Sequence, residues 1–205
     1  EEFELLGAIA GRKIACLLKP VRGVDMEVLN RYQCDAQGRL VLPDVAWGSE
    51  ATIAVRLTVP SGMTASANVV ELLSVSVAYL DLDGAAHGVA SDPVVLPVMD
   101  AAAHARLAEN EQVARRFGEI DASHFQEMAR DAALRGDWQQ VELYLERIRV
   151  IAANNDWVEG VLREIEALAR QRDSARFAKE AMYASHSMRT RLSAPGEAAQ
   201  LHCDA

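Results

Sequence analysis

The sequence predicts an α+β protein in which an antiparallel β-sandwich is followed by an α-helical bundle, and three observations carry that prediction. Up to about Met99 apolar residues alternate: Ile53, Val55, Leu57 and Val59 share one face, and Thr52, Ala54, Arg56 and Thr58 the other. Beyond Asp100 they recur at helical spacing, as in Trp138, Val141, Leu145, Ile148 and Ala152. A period of two lines up one face of a strand, and a period near 3.6 lines up one face of a helix. The third observation is that no helical pattern interrupts the strands, which favours antiparallel pairing over crossover connections.

Taken in order, residues 2–10 read as the end of an amphipathic helix, with Phe3, Leu6 and Ile9 on one side and Gly11 as its stop. Strands are expected over 13–20, 25–32, 39–42, 51–59, 69–82 and 94–98. Their separators carry turn chemistry: Arg22-Gly23, Gln37-Gly38, Trp47-Gly48, Ser61-Gly62 and Asp83-Gly84. Asp81-Leu82-Asp83-Gly84 reads as a hairpin turn. A calcium loop would need further oxygen ligands and a closing glutamate, and Ala85, Ala86 and His87 do not supply them. Trp47, in a turn before a strand, reads as a lid over the end of the sandwich, with an exposed contact residue as the alternative.

Helices are expected over 101–117, 122–135, 138–153, 157–171 and 174–190. Gly118, Gly136 and Asn154-Asn155 suit helix ends, while Asp121, Asp137, Asp156 and Asp173 sit where a side-chain oxygen would cap free backbone amides. Short links make neighbouring helices antiparallel. Trp138, Tyr144 and Trp157 have core-compatible spacing. Arg135-Gly136-Asp137-Trp138 joins two helices by a tight turn, and Ala129, Ala132 and Ala133 allow close approach, as in a tetratricopeptide-like hairpin. No second copy follows at the ~34-residue period of such repeats. The expected organisation is therefore a closing helix over 1–10, a sandwich over 11–99, a helical bundle over 100–192 and a flexible tail over 193–205.

The chain has 205 residues and a formal net charge of −9, which opposes general affinity for nucleic acid. The charge is uneven. Between Arg170 and Leu192 six basic residues face two acids, Asp173 and Glu180, which makes a docking strip for an acidic partner one reading and a solvated helix end the other. The partner-binding candidates are Arg176, Lys179, Arg189 and Arg191 on that strip, together with Trp47. Eighteen arginines against three lysines, with abundant alanine, suggest a GC-rich bacterial coding sequence. Three cysteines, Cys16, Cys34 and Cys203, have no metal-site spacing and read as reduced thiols of a cytoplasmic protein. No apolar run approaches a membrane span and no signal peptide is visible.

Catalytic constellations are missing from the pattern. The five histidines, 87, 104, 124, 186 and 202, include no i,i+4 pair. No nucleophile elbow, phosphate-cradling loop or dinucleotide fingerprint occurs. Asp121-Ala122-Ser123 begins like an Asp-x-Ser-x-Ser metal motif, but Phe125 stands where the second serine belongs. The sequence thus proposes no catalytic, cofactor-binding or metal residues and a non-enzymatic chain.

With both halves in place, the chain resembles the region that follows the von Willebrand factor type A domain in a group of bacterial proteins. The resemblance spans most of residues 3–192. It is carried by Leu5-Leu6-Gly7 running into Lys13 to Leu18, and by Gly23-Val24 to Tyr32, Gly38 to Asp44 and Gly48 to Glu50. Leu57-Thr58-Val59-Pro60, Val77 to Asp81, Leu134 to Trp138 and the arginine-rich Met182 to Arg191 complete it. It implies that Glu1 to Ala10 are the last helix of an A domain lying outside this chain, and that a divalent metal would belong to that domain. It also implies protein partners, an AAA-type ATPase or a regulatory complex among them.

Three functions compete. The first is a scaffolding and interaction module that positions an A domain and docks partners. The second is a small-molecule-binding or enzymatic module with a pocket between the β and α halves. The third is a helical-repeat adaptor.

Overall fold

The computed structural model describes residues 9–65 and 67–190, and the backbone of 192 and 193. They form two compact units, a β unit up to Ala108 that is rejoined at Leu192, and a helical unit over Glu109–Arg191. Residues 1–8 of the closing helix expected over 1–10, and 194–205 of the tail expected over 193–205, lie outside the described residues. The expected division near residue 100 differs from the observed one because the chain returns: Leu192 pairs with Ala51 and Ser193 with Glu50.

The β unit contains β1 (Ile9–Pro20), β2 (Asp25–Val28), β3 (Leu40–Val41), β4 (Val45–Ala46), β5 (Glu50–Ala51) and β6 (Val55–Thr58). A single helical turn, α1 (Ser61–Thr64), precedes β7 (Val69–Leu80), β8 (Ala86–Ala90), β9 (Val94–Pro97) and a second single turn, α2 (Ala101–His104); β10 (Leu192–Ser193) closes the unit. The pairings described are all antiparallel. The main sheet runs β3-β1-β7-β8, with β4 also on β1 and β9 also on β7. Two further ladders, β2–β6 and β5–β10, stand apart from it.

Alternation in β1 buries Ile14 and Cys16 together with Leu40 and Leu42, and Val28, Tyr32, Ile53 and Val77 pack against them. Burial pushes the Cys16 thiol above its ordinary value. Ile9 and Ala10, expected to end a helix, are the first residues of β1. A bulge follows: Lys13 takes φ +51° and the β1–β7 register shifts between Arg12 and Ala15. There Arg12 Nη2 donates to the carbonyls of Asp81 (3.1 Å) and Leu82 (2.9 Å), holding the next hairpin.

That hairpin is the turn expected at Asp81-Leu82-Asp83-Gly84: Gly84 has φ +83° and its N–H bonds the Asp81 carbonyl at 3.2 Å. It leads into β8, which the sequence pattern hides because Ala-His-Gly-Val-Ala lacks branched and aromatic residues.

The second layer is only partly a sheet. The strand expected over 51–59 breaks into β5 and β6, and buried Asn30 explains why. Its Nδ2 donates to the Thr52 carbonyl at 3.1 Å and its Oδ1 accepts from Ala54 N at 2.6 Å. The Tyr32 hydroxyl donates to the same Thr52 carbonyl at 3.2 Å. One side chain thus replaces a strand partner for residues 52 to 54 and satisfies backbone groups that burial would otherwise leave costly.

The helical unit contains α3 (Glu111–Leu134), α4 (Trp138–Ala152), α5 (Asp156–Gln171) and α6 (Ser174–Thr190). The two helices expected over 101–117 and 122–135 are α2 and a continuous α3. Gly118 lies inside α3 rather than stopping it. A Cβ there would sit 3.2 Å from Ile151 Cγ2, so glycine marks a close approach of α4. Asp121, expected as a cap, is mid-helix and exposed.

The α3–α4 turn closes as a Schellman motif, with Gly136 N bonding Ala133 O (2.9 Å), Asp137 N bonding Ala132 O (3.0 Å) and Gly136 at φ +75°. Asp137 caps α4 through Gln140 N at 3.1 Å, and Asp173 accepts from Arg176 N at 3.0 Å. At α5 the cap is Asn155, one residue before the expected Asp156.

The core of this unit is fully buried. Ala122, Ala129, Ala132 and Ala133 of α3 meet Val141, Leu145 and Ile148 of α4. Val158, Leu162 and Ile165 of α5 and Phe177, Ala181 and Met188 of α6 complete it, with Trp138, Tyr144 and Trp157 partly buried against it. Because α6 packs back on α3, the four helices close on themselves. A repeat array would instead leave each pair stacked on the next.

Glu119 is 1% exposed in this core. It pairs with Arg116 at 2.5 Å and Arg115 at 3.7 Å, and accepts from Asn155 Nδ2 at 3.3 Å while Asn155 Oδ1 caps Val158 N at 3.2 Å. The α5 N-terminus is therefore anchored to a paired, buried charge on α3.

Two stability outcomes follow. Asn30→Ala strands the buried Ala54 amide and leaves the Thr52 carbonyl with Tyr32 alone, and should cost about 2–3 kcal/mol, read by urea unfolding and by faster exchange of the Ala54 amide. Glu119→Ala removes a buried carboxylate that pairs with Arg115 and Arg116 and accepts from Asn155 Nδ2, and should cost about 3–5 kcal/mol in the transition reported by Trp138 and Trp157 fluorescence.

Candidate docking site

Antiparallel packing brings the α3 C-terminus, the α4 N-terminus, the α5 C-terminus and the α6 N-terminus to one end of the helical unit. Trp138 opens α4 there, its ring edge-on to Phe177 of α6 with centroids 5.8 Å apart and planes at 78°. Trp138, Glu142, Leu145 and Arg149 follow at intervals that place them on one face of α4. That face and the last turn of α5 enclose a pocket of about 540 Å³.

Its accessible apolar lining is Trp138 and Ala169 of α5, both partly buried, while Val141 and Leu145 border it without meeting solvent. Its walls are charged. Arg149 donates from Nε to Glu166 Oε1 at 2.6 Å and from Nη2 to Glu142 Oε1 at 3.0 Å. Hydrogen bonds to Glu142 first and Glu166 second raise the Arg149 pKa above its ordinary value. Arg170 approaches Glu166 Oε2 at 3.7 Å with its side chain 79% exposed. Arg172 ends α5 in the left-handed conformation, φ +53°, and also lines the pocket.

The residues singled out from the sequence do not assemble into one strip. Arg176 and Lys179 are exposed on α6. Arg189 is not available: it donates to Glu127 of α3, and both side chains are more than four-fifths buried. It joins α6 to α3. Arg191 lies outside the described residues. Trp47 belongs to the β unit and is 82% exposed, in a turn closed by Ser49 N to Ala46 O at 3.0 Å. It is therefore not the lid that its turn position suggested.

Sequence reasoning missed Arg149, Glu142 and Glu166. The α4 part was detectable, since Glu142 and Arg149 stand two turns apart on the face of Trp138. The Glu166 partner depends on how α5 packs, which periodicity does not specify.

One other titratable cluster stands out, in the β unit. His87 Nε2 lies 2.7 Å from Asp81 Oδ2, and its ring stacks on Tyr79 with centroids 5.2 Å apart. Tyr79 and His87 are direct cross-strand partners in β7 and β8. The hydrogen bond from His87, followed by that from Ala85 N, holds the Asp81 carboxyl below its ordinary range. Asp35 is lowered likewise, first by the Arg39 backbone N–H. Neither cluster contains a Ser, Thr, Cys or Lys. Among the described residues no three His, Cys, Asp or Glu side chains stand close enough to hold a metal ion. No described helix is long and apolar enough to cross a membrane.

A folded-state pKa below the unfolded one makes a carboxylate stabilising above about pH 4, and that contribution fades as pH falls through the lowered value. Asp81→Asn should therefore flatten the fall in melting temperature between pH 5 and pH 3, and an unchanged slope would contradict this account.

No protein-family model matches the chain, and no curated protein matches it at a significant level. Two solved structures resemble it. One is a von Willebrand factor type A protein from Catenulispora acidiphila, with TM-score 0.54 and 16% identity, over 91% of this chain and 47% of that one. The other is the ArnB paralog VWA2 from Sulfolobus acidocaldarius, with TM-score 0.51 and 14% identity, over 88% of this chain and 42% of that one. The chain spans less than half the length of either structure. Its fold, mixed α and β with an antiparallel sheet and, among the described residues, six helices, is the fold of part of these von Willebrand factor type A proteins.

Proposed function

We propose that this chain is a non-catalytic interaction module of a von Willebrand factor A-type protein, which docks protein partners through the α4–α5 end of its helical unit and holds an A domain in position. The observation that supports the reading best is the composition of the pocket. Its polar lining pairs arginines with glutamates around a tryptophan, and it contains no Ser, Thr, Cys or Lys and no acid–base pair arranged for proton transfer. Tryptophan and arginine are the side chains most enriched where binding energy concentrates in protein interfaces. On this reading the chain needs no cofactor, and any divalent metal serves the A domain. An AAA-type ATPase is the first partner to test.

A second reading has one observation in its favour: about 540 Å³ also suits a small ligand. A metabolite-library thermal-shift screen separates the two, since a ligand bound specifically to the folded state must raise its melting temperature.

The chain, immobilised and exposed to lysate of its source cells, should retain at least one protein that a heat-denatured control does not. Retention of none, together with a stabilising metabolite, would replace docking with small-molecule binding.

A further inference from the structure

We infer that the Trp138 pocket accepts a carboxylate-bearing peptide segment, one apolar side chain seated on Trp138 and Ala169 and an Asp or Glu within a few residues held by Arg170 and Arg172. The inference rests on the docking reading above and names the chemistry of the partner.

Charge and shape both match such a segment. Three arginines and two glutamates line the pocket, so it has a cationic excess in a chain whose formal net charge is −9. The three arginines are not equivalent. Arg149 is committed, its Nε and Nη2 each donating to a carboxylate, at 2.6 and 3.0 Å. Arg170 touches Glu166 only at 3.7 Å, beyond hydrogen-bond reach, and its side chain is 79% exposed. Arg172 has no side-chain hydrogen bond or ion pair among the described residues, and it too is exposed. Two guanidinium groups at one rim are therefore left to meet an incoming anion, and their planar forks match a carboxylate in two parallel hydrogen bonds.

Glu142 and Glu166 decide what kind of anion can approach. Glu142 is 56% exposed beside the same opening. A nucleic-acid backbone, with its closely spaced phosphates, would bring further negative charge against that carboxylate and against the acidic chain as a whole. A peptide can place one carboxylate at the arginines and keep the rest of its length neutral. The apolar part of the lining points the same way, because Trp138 and Ala169 are only partly buried there. A Leu, Met or Phe side chain gains by leaving water there, at about 25 cal/mol per Å² buried.

Panning a random dodecapeptide display library on the intact chain tests this directly. The enriched peptides should share an Asp or Glu within about four residues of Leu, Met, Phe or Trp. The Arg170→Glu, Arg172→Glu double variant, altered only at exposed positions and checked by circular dichroism, should bind them at least about tenfold more weakly, the expected loss for a charge-assisted contact. The indole N–H resonance of Trp138, assigned with Trp138→Phe, should move on addition of an enriched peptide. Basic or purely apolar consensus peptides, no enrichment, or equal binding by the double variant would each overturn the inference. If the double variant still retains the lysate partners of the parent chain, docking stands and its location here does not. If neither lysate nor library yields a binder, both readings fall.

Discussion

The arrangement of the helical unit depends on a seam of alanines along α3. Ala122, Ala129, Ala132 and Ala133 are completely inaccessible to solvent, and their small side chains let neighbouring helices approach that face closely. Gly118 extends the seam towards α4. Dispersion weakens steeply with distance, so an approach of this kind multiplies weak contacts along the length of α3 and makes it the spine on which α4 and α6 lie. Larger side chains there would hold α6 away and leave Phe177, Ala181 and Met188 without a partner surface.

Packing that is tight on the α3 side contrasts with the opposite side, where α5 is held by fewer apolar contacts and by polar anchors at both ends. Asn155 ties its first turn to Glu119, and Glu166 ties its last turns to Arg149. Between α4 and the C-terminal end of α5 the side chains leave a pocket. The same ion pair that holds α5 also forms its wall, so a structural interaction and a candidate binding surface share atoms. A ligand that competed for Glu166 or Arg149 would loosen α5, whereas one that engages Arg170 and Arg172 leaves that anchor intact.

Periodicity made the order of elements legible in the sequence, and most turns were marked by their own chemistry: Gly84, Gly136, Asp137 and Asp173 act as their residue types suggest. What escaped depends on tertiary context. Gly118 looks like a stop but answers to Ile151, a residue 33 positions on. Asn30 breaks a nine-residue alternating run by supplying hydrogen bonds from another part of the chain. Asn155 outcompetes Asp156 as a cap because the same side chain also reaches Glu119. Of the basic residues near the C-terminal end, the sequence could not separate Arg189, consumed by Glu127, from Arg172, which is exposed. Local charge counts register cations but not their partners. The fold-level likeness to two von Willebrand factor type A structures at 14–16% identity has the same physical basis, since alternation and helical spacing tolerate extensive substitution and individual side-chain contacts do not.

The pairing of β10 with β5 bears on the order in which the molecule is made. Leu192 and Ser193 leave the ribosome only after the whole helical unit, so the β5 edge waits for its partner while about 140 further residues are synthesised, roughly 7–28 s at ordinary translation rates. During that interval the helices, rich in local contacts, can form on their own timescale. Closure of the last ladder then joins residues far apart in sequence and comes late, so the β unit is begun first and finished last.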